Sequence, residues 1–252
     1  MTKAVCIIQA RCGSTRLPNK ILLPLGSKRV LEHVIERAMA IKSIDEVIIA
    51  TTKGAGDDVV EKIARNMGAS IYRGSEHDVL DRYYKAAMKA QATHVMRITA
   101  DCPLLDPDVC NQLVEKMITE KADYGGIGGF PHGLDCEFFT MELLAQAHKA
   151  ATSKEDREHV TLWMKRHEAI KKSYLRVDDG HDYKSHRWTI DYPEDYEFLQ
   201  AVFSLKEGDE KVYSFRDVIE ILAANSHLSK INTARAKDWA EQTRNIYKRA
   251  EQ

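Results

Sequence analysis

The chain has 252 residues, 44% apolar and 30% charged, which suffices for a real core and excludes a disulfide-stapled miniature domain. Its 37 Lys and Arg residues face 38 Asp and Glu residues, for a formal net charge of −1. So balanced a chain has no global field drawing it to nucleic acid or an anionic membrane, and any anion it binds must be held by a local cluster of cations.

The first apolar run, residues 4–8, is too short for the apolar region of a signal peptide or for a membrane span of about 18 residues. Nothing later is longer, and the expectation is a cytoplasmic protein. Residues 4–9 read as a buried strand, followed by a polar, basic loop over 10–20. Val30, Leu31, Val34, Ile35 and Ala38 recur at helical spacing. Residues 46–51 read as the next strand. Val59, Val60, Ile63, Ala64 and Met67 mark a second helix, with Gly68 placed to end it. A third strand is expected over 69–72, a third helix over 79–88 and a fourth strand over 94–99. Strands alternating with helices at this spacing predict an α/β fold with a mostly parallel sheet covered on both faces.

Beyond Pro103 the pattern changes. A helix is expected over 106–119, with Pro107 at a permitted first-turn position. Residues 123–140 are Gly-rich, with strand character around 136–139. Helices are expected over 141–151 and 157–167, and strands over 173–177 and 187–190. Pro193 opens a helix to about Leu205, and 215–224 forms another. From Ala234 the tail reads as a helix with Trp239, Ile246 and Ala250 on one side. Without linker, repeat or low-complexity tract, residues 1–252 read as one domain. Within it, 123–190 is an accessory region and 206–252 a helical C-terminal extension. The five cysteines (Cys6, Cys12, Cys102, Cys110, Cys136) are odd in number, widely spread and without a C-x-x-C pair, so reduced thiols are expected.

The loop Gln9-Ala10-Arg11-Cys12-Gly13-Ser14-Thr15-Arg16-Leu17-Pro18-Asn19-Lys20 concentrates cations in a neutral protein. It starts where a parallel strand ends, the usual ligand position of open α/β sheets. Gly13 lets backbone approach a ligand, and Ser14 and Thr15 bring hydroxyls. Arg11 and Arg16 offer forked donors and Lys20 a compact charge, a set suited to a nucleoside triphosphate. The loop matches neither the Walker A pattern nor a Gly-x-Gly-x-x-Gly turn.

R-x-x-S-x-R-L-P-x-K just after the first strand resembles the signature of the cytidylyltransferases that activate sugar acids. These include the acylneuraminate and 3-deoxy-manno-octulosonate enzymes, and the spore-coat polysaccharide biosynthesis branch is the nearest in pattern. Further segments agree: R-G-S-E-H-D-V-L-D-R-Y-Y (73–84), R-I-T-A-D-C-P-L-L-D-P (97–107), H-G-L-D-C-E (132–137), R-E-H-V-T (157–161) and R-W-T-I-D-Y-P-E-D (187–195). The resemblance spans about residues 1–205 and implies a Rossmann-like sheet of the nucleotide-diphospho-sugar transferase type. Asn19 and Ala100 stand where the family commonly has glycine.

The resemblance implies transfer of CMP from CTP to a small acidic acceptor such as a sugar acid, with release of pyrophosphate, in glycoconjugate or polysaccharide biosynthesis. Arg11, Arg16 and Lys20 would neutralise the triphosphate. Asp101 and Asp191, each at a strand end shortly before a proline, would hold Mg²⁺; either alone reads as a turn initiator. Cytosine would lie near Ala10 and the segment from Ser75 to Asp78, with Arg82 close by, and Gly13 and Ser14 at the phosphates. The acceptor side would comprise His132, Asp135, Glu137, Arg157 and His159, and relatives suggest a homodimer. Asp106, Asp108, Glu194 and Asp195 read as helix first-turn acids, and Lys165, Arg166, Lys171 and Lys172 as a solvated face. Two other readings stay open, a glycosyltransferase of the related fold and a non-catalytic nucleotide-binding protein.

Overall fold

The computed structural model describes residues 2–183, 185–205 and 213–250. Strand β1 (Ala4–Gln9) is followed by a small antiparallel pair, β2 (Pro24–Leu25) and β3 (Lys28–Arg29), and by helix α1 (Val30–Met39). Then come β4 (Glu46–Thr52), α2 (Asp58–Asn66), β5 (Ser70–Gly74), α3 (Val79–Lys89) and β6 (His94–Thr99). These four larger strands pair in parallel, as the alternating pattern predicts. Residues of β1 alternate between two cores. Cys6 and Ile8 pack with Leu31, Val34, Ile63 and Leu113, while Val5 and Ile7 pack with Leu80, Tyr83 and Ala87. A strand covered on both faces must be apolar at every position, which is why 4–8 read as an unbroken run. Each such buried aliphatic side chain stabilises the fold by about 1.5–3 kcal/mol.

Helix α4 (Pro107–Glu120) carries Pro107 in its first turn, and the Asp106 carboxylate accepts from the backbone N–H of Asp108 at 2.8 Å. Asp106 also accepts from the N–H of Phe215 at 2.6 Å, fastening α9 (Phe215–Ala224). Between them lie β7 (Tyr124–Gly128), β8 (Glu137–Thr140), α5 (Met141–Ala150), α6 (Lys154–His159), α7 (Leu162–Arg166), β9 (Lys172–Arg176) and α8 (Pro193–Ser204). The seven-stranded sheet has the order β5-β4-β1-β6-β8-β7-β9, with β8 antiparallel to both neighbours. β7 forms from glycines because a Cβ on Gly125 would fall 2.4 Å from Met117 Sδ; glycine lets α4 lie close. Helix α10 (Thr233–Ala250) follows a short turn at Leu228–Lys230. The expected one-sided placement of Trp239 and Ala250 falls outside the described side chains, as does the stretch 206–212. Among the described residues no helix is long and apolar enough to cross a membrane.

Two expectations are corrected. Residues 187–190 form no strand, only an isolated bridge between Arg187 and His132. Their donors go to different segments, Trp188 N–H to His132 O and Ile190 N–H to Asp101 O, so no ladder can propagate. The helix expected over 157–167 breaks at Val160, whose φ is 63°, giving α6 and α7. Asp195 does lie in the first turn of α8, as expected, and it is fully buried beneath Arg187. As expected, Gly68 ends α2 at positive φ, and Asn19 takes the left-handed conformation at φ 57°.

Gly133 has φ 111°, and a Cβ there would lie 2.5 Å from the carbonyl carbon of Trp188. Only glycine lets the 132–135 turn sit against residues 187–189. Gly133→Ala should therefore destabilise the chain by about 1–3 kcal/mol, read as a lower Tm.

Candidate active site

Parallel pairing sets Gln9 opposite Thr99, so the loops leaving β1 and β6 start at the same level. Between them opens a cavity of about 980 Å³. Arg11, Gly13, Ser14, Arg16 and Lys20 line one part of it with Asp101 and Asp191. His132, Asp135, Glu137 and His159 line another, joined by residues not expected at the site from the sequence: Arg97, Tyr124, Thr161, Lys165 and Tyr174.

The basic loop is held from below. Its Cys12 N–H donates to Asp57 Oδ1 at 2.8 Å, and the Thr52 hydroxyl donates to Asp57 Oδ2 at 2.5 Å. Ala10 is buried and its N–H donates to Ala50 O. Asp57 was silent in the sequence because a lone acid before a helix reads as a cap. Burial and the Asp57 carboxylate push the Cys12 thiol up to about 11, so Cys12 is not a thiolate at neutral pH. Burial likewise raises the Cys102 thiol. All five cysteines are free.

Lys20 Nζ bonds Asp101 Oδ2 at 2.5 Å and Asp191 Oδ1 at 2.8 Å, so the two carboxylates converge on one cationic nitrogen. Asp191 also receives Arg16 at 3.0 Å and Arg187 at 2.8 Å. Burial would lower the Lys20 ammonium, but the two carboxylates outweigh it and raise it. Burial would raise the Asp101 carboxyl, but Lys20 outweighs it and holds Asp101 well below the usual carboxylate range. Arg11 is more exposed and lies 3.6 Å from Glu76.

On the other side, Glu137 is buried and gathers Arg97 at 2.7 Å, Lys165 at 2.6 Å, the Tyr124 hydroxyl at 2.6 Å and the Thr161 hydroxyl at 2.9 Å. The break at Val160 lies next to Thr161 in this network. Lys165 therefore does not belong to a solvated face, and neither does Arg166, which binds buried Asp156 at 2.9 Å. Burial would raise the Glu137 carboxyl, yet Lys165 and Arg97 hold it well below the usual range. His132 Nδ1 pairs with Asp135 Oδ2 at 2.8 Å. Burial lowers the His159 imidazole, which is neutral at physiological pH.

Carboxyls depressed in the folded chain contribute stability that is complete above their unfolded value of about 4 and is lost as pH falls toward the folded value. Thermal melts should show Tm falling below about pH 4 for this reason. Glu137→Gln should lower Tm at neutral pH, by stranding Arg97 and Lys165, and flatten that acid-side fall.

Ser75, Asp78, Arg82 and Arg157 stand apart from the described cavity lining. Arg82 Nη1 donates to Ser75 O at 2.6 Å, and Arg157 grips Asp78 through two nitrogens at 2.5 and 3.0 Å. This loop touches the basic loop through Glu76, which lies 3.6 Å from Arg11. Arg157 is thereby tied to the 75–78 loop and not grouped with His132, Asp135 and Glu137. Among the described residues no cluster of three or more His, Cys, Asp or Glu side chains could hold a metal.

A family model described as cytidylyltransferase matches residues 5–247. The spore coat polysaccharide biosynthesis protein SpsF of Bacillus subtilis is 34% identical over 231 residues, covering 89% of this chain and 96% of its own. A cytidylyltransferase structure from Leptospira borgpetersenii superposes with a TM-score of 0.84 at 32% identity, covering 90% of this chain and 97% of its own. A CMP-2-keto-3-deoxy-manno-octonic acid synthetase complexed with CTP superposes with a TM-score of 0.64 at 20% identity, covering 81% and 99%.

Proposed function

The chain belongs to the cytidylyltransferase family and is a CTP-dependent nucleotidyltransferase; on that premise we propose that it transfers CMP from CTP to a small acidic acceptor such as a sugar acid. Pyrophosphate leaves, and the activated acid serves cell-surface glycoconjugate or polysaccharide biosynthesis. The observation that carries this reading is the convergence of Lys20, Asp101 and Asp191 in one cavity that is also lined by the Arg97–Glu137–Lys165 cluster.

Arg11, Arg16 and Lys20 bind the triphosphate oxygens and carry the charge that builds on pyrophosphate as it departs. The attacking acceptor oxygen bonds to the α-phosphorus, and the bond from that phosphorus to the bridging oxygen breaks in line. Alignment and charge stabilisation do most of the work. In the acceptor half, Arg97 and Lys165 share Glu137, and these two cations are the groups available to meet an acidic group of the acceptor. Among the described residues Arg97 Nε is buried without a hydrogen-bond partner, which supports such a role. His132 and His159 offer further hydrogen bonds to hydroxyls. Ser75, Asp78 and Arg82 keep their place beside the base in this reading, and Arg157 orders them through Asp78.

Asp101 and Asp191 suit Mg²⁺, a hard cation that takes a few carboxylates and fills its shell with phosphate oxygens and water. The Lys20 ammonium bridges the two carboxylates, and a cation placed between them supports this reading. When bound, the metal would supply charge neutralisation at the α-phosphate. A homodimer joined through residues 123–190, acting in the cytoplasm, completes the reading, and light scattering tests the dimer.

The experiment is pyrophosphate release with each of the four nucleoside triphosphates, Mg²⁺ and a panel of 3-deoxy sugar acids, nonulosonic acids and phosphorylated small molecules. Release with CTP and an acidic acceptor is expected. Equal release with neutral sugars would remove the acidic-acceptor assignment.

A further inference from the structure

The C-terminal segment carries no motif of the family resemblance, yet it reaches the active site at three points. Asn232 is buried, and its Nδ2 donates to Asp195 Oδ1 at 3.0 Å and to Arg187 O at 2.8 Å. Asp195 in turn accepts from Arg187 Nε at 2.9 Å and from the backbone N–H of Asp191 at 2.9 Å and of Tyr192 at 3.0 Å. Arg187 then donates to Asp191 Oδ2 at 2.8 Å. One amide thus braces both the backbone and the side chain of Asp191, through a network in which Asp195 and Arg187 are almost fully buried.

The second point is Tyr192. The Arg235 guanidinium lies 4.4 Å from the centre of its ring, and that of Arg16 lies 5.1 Å from the same centre. Arg235 is held there by Glu194 at 2.8 Å and Asp238 at 3.0 Å. An aromatic face attracts a guanidinium, so Tyr192 links the tail to the basic loop. The third point is Ile246, which lines the main cavity beside Glu158 and His159, where α10 packs on α6.

We propose that residues 232–246 complete the active site, with Asn232 and Arg235 positioning Asp191 and Arg16 for the triphosphate and Ile246 forming a wall of the acceptor half. This rests on the transfer function proposed above. Both halves of the site then depend on the tail, but on different residues of it. That division separates an active-site role from mere docking of a helix.

The test uses the full chain and two binding constants. CTP affinity is measured by calorimetry without metal, and KM for CTP and for the best acceptor of the panel is measured with Mg²⁺. Asn232→Ala and Arg235→Ala should each weaken metal-free CTP binding and raise KM for CTP about 10-fold, the scale of one lost charge-assisted contact, with the acceptor KM unchanged. Ile246→Ala and Ile246→Trp should change the acceptor KM and leave CTP binding as in the wild type. Arg249→Ala, on the same helix as Ile246, removes the pair with Glu155 of α6 and should change neither constant. Arg235 is partly exposed, so its variant folds even if Asn232→Ala does not. Variants that lower Tm while both constants stay at wild-type values would overturn the proposal alone. A wild-type chain that binds no CTP would overturn the functional reading together with it.

Discussion

Asp101→Asn lowers kcat for CTP-dependent transfer by about 10³-fold while the chain still folds. The two halves of that expectation rest on different atoms of one residue. Its carbonyl accepts from Ile190 N–H at 2.9 Å and from the Thr189 hydroxyl at 3.2 Å, and this fastens the 187–191 segment to the end of β6. Those bonds survive the substitution. Its carboxylate faces Lys20 and the cavity, and replacing it by an amide removes one of the two negative charges that converge there. Thermal melts and pyrophosphate release on one preparation check both halves. Near-normal turnover by a folded variant would remove Asp101 from the transfer machinery.

Lys20→Met has the second large effect, and it should reach stability as well as rate. It deletes the cation on which Asp101 and Asp191 meet, leaving the two carboxylates repelling each other across a half-buried site. Breaking a fully buried ion pair costs about 3–5 kcal/mol; here Arg16 and Arg187 still hold Asp191, so about 2 kcal/mol is expected. Turnover should fall about 10²- to 10³-fold, because the charge on the departing pyrophosphate loses its compact partner. Added Mg²⁺ should raise the Tm of this variant more than that of the wild type, since the divalent ion can then sit where the ammonium was. Differential scanning fluorimetry with and without Mg²⁺ measures it, and equal Tm shifts in the two proteins would contradict it.

Much of this was legible in the sequence, for identifiable reasons. The parallel half of the sheet showed itself because strands buried on both faces are apolar throughout and their helices keep strict spacing. The basic loop stood out because Arg11, Arg16 and Lys20 crowd a neutral chain. Lys165 and Arg97 did not stand out, because a charged side chain on an amphipathic helix or a strand end looks the same whether it faces water or a buried Glu137. β7 was hidden by its own glycines, whose value lies in close contact with Met117. Arg187–Ile190 looked like a strand because Trp188 and Ile190 alternate with Arg187 and Thr189, although its donors serve two separate loops. Asn232 and Arg235 gave no local signal at all; their meaning exists only once residues 191–195 lie beneath them.

The most direct test of the central claim is the fate of the α-phosphate. CTP labelled at that position is incubated with the chain, Mg²⁺ and the acidic acceptor that best supports pyrophosphate release. The label should appear in a CMP–acceptor conjugate, one equivalent per pyrophosphate released. Label found only in free CMP or CDP, or no label transfer at all, would contradict the account.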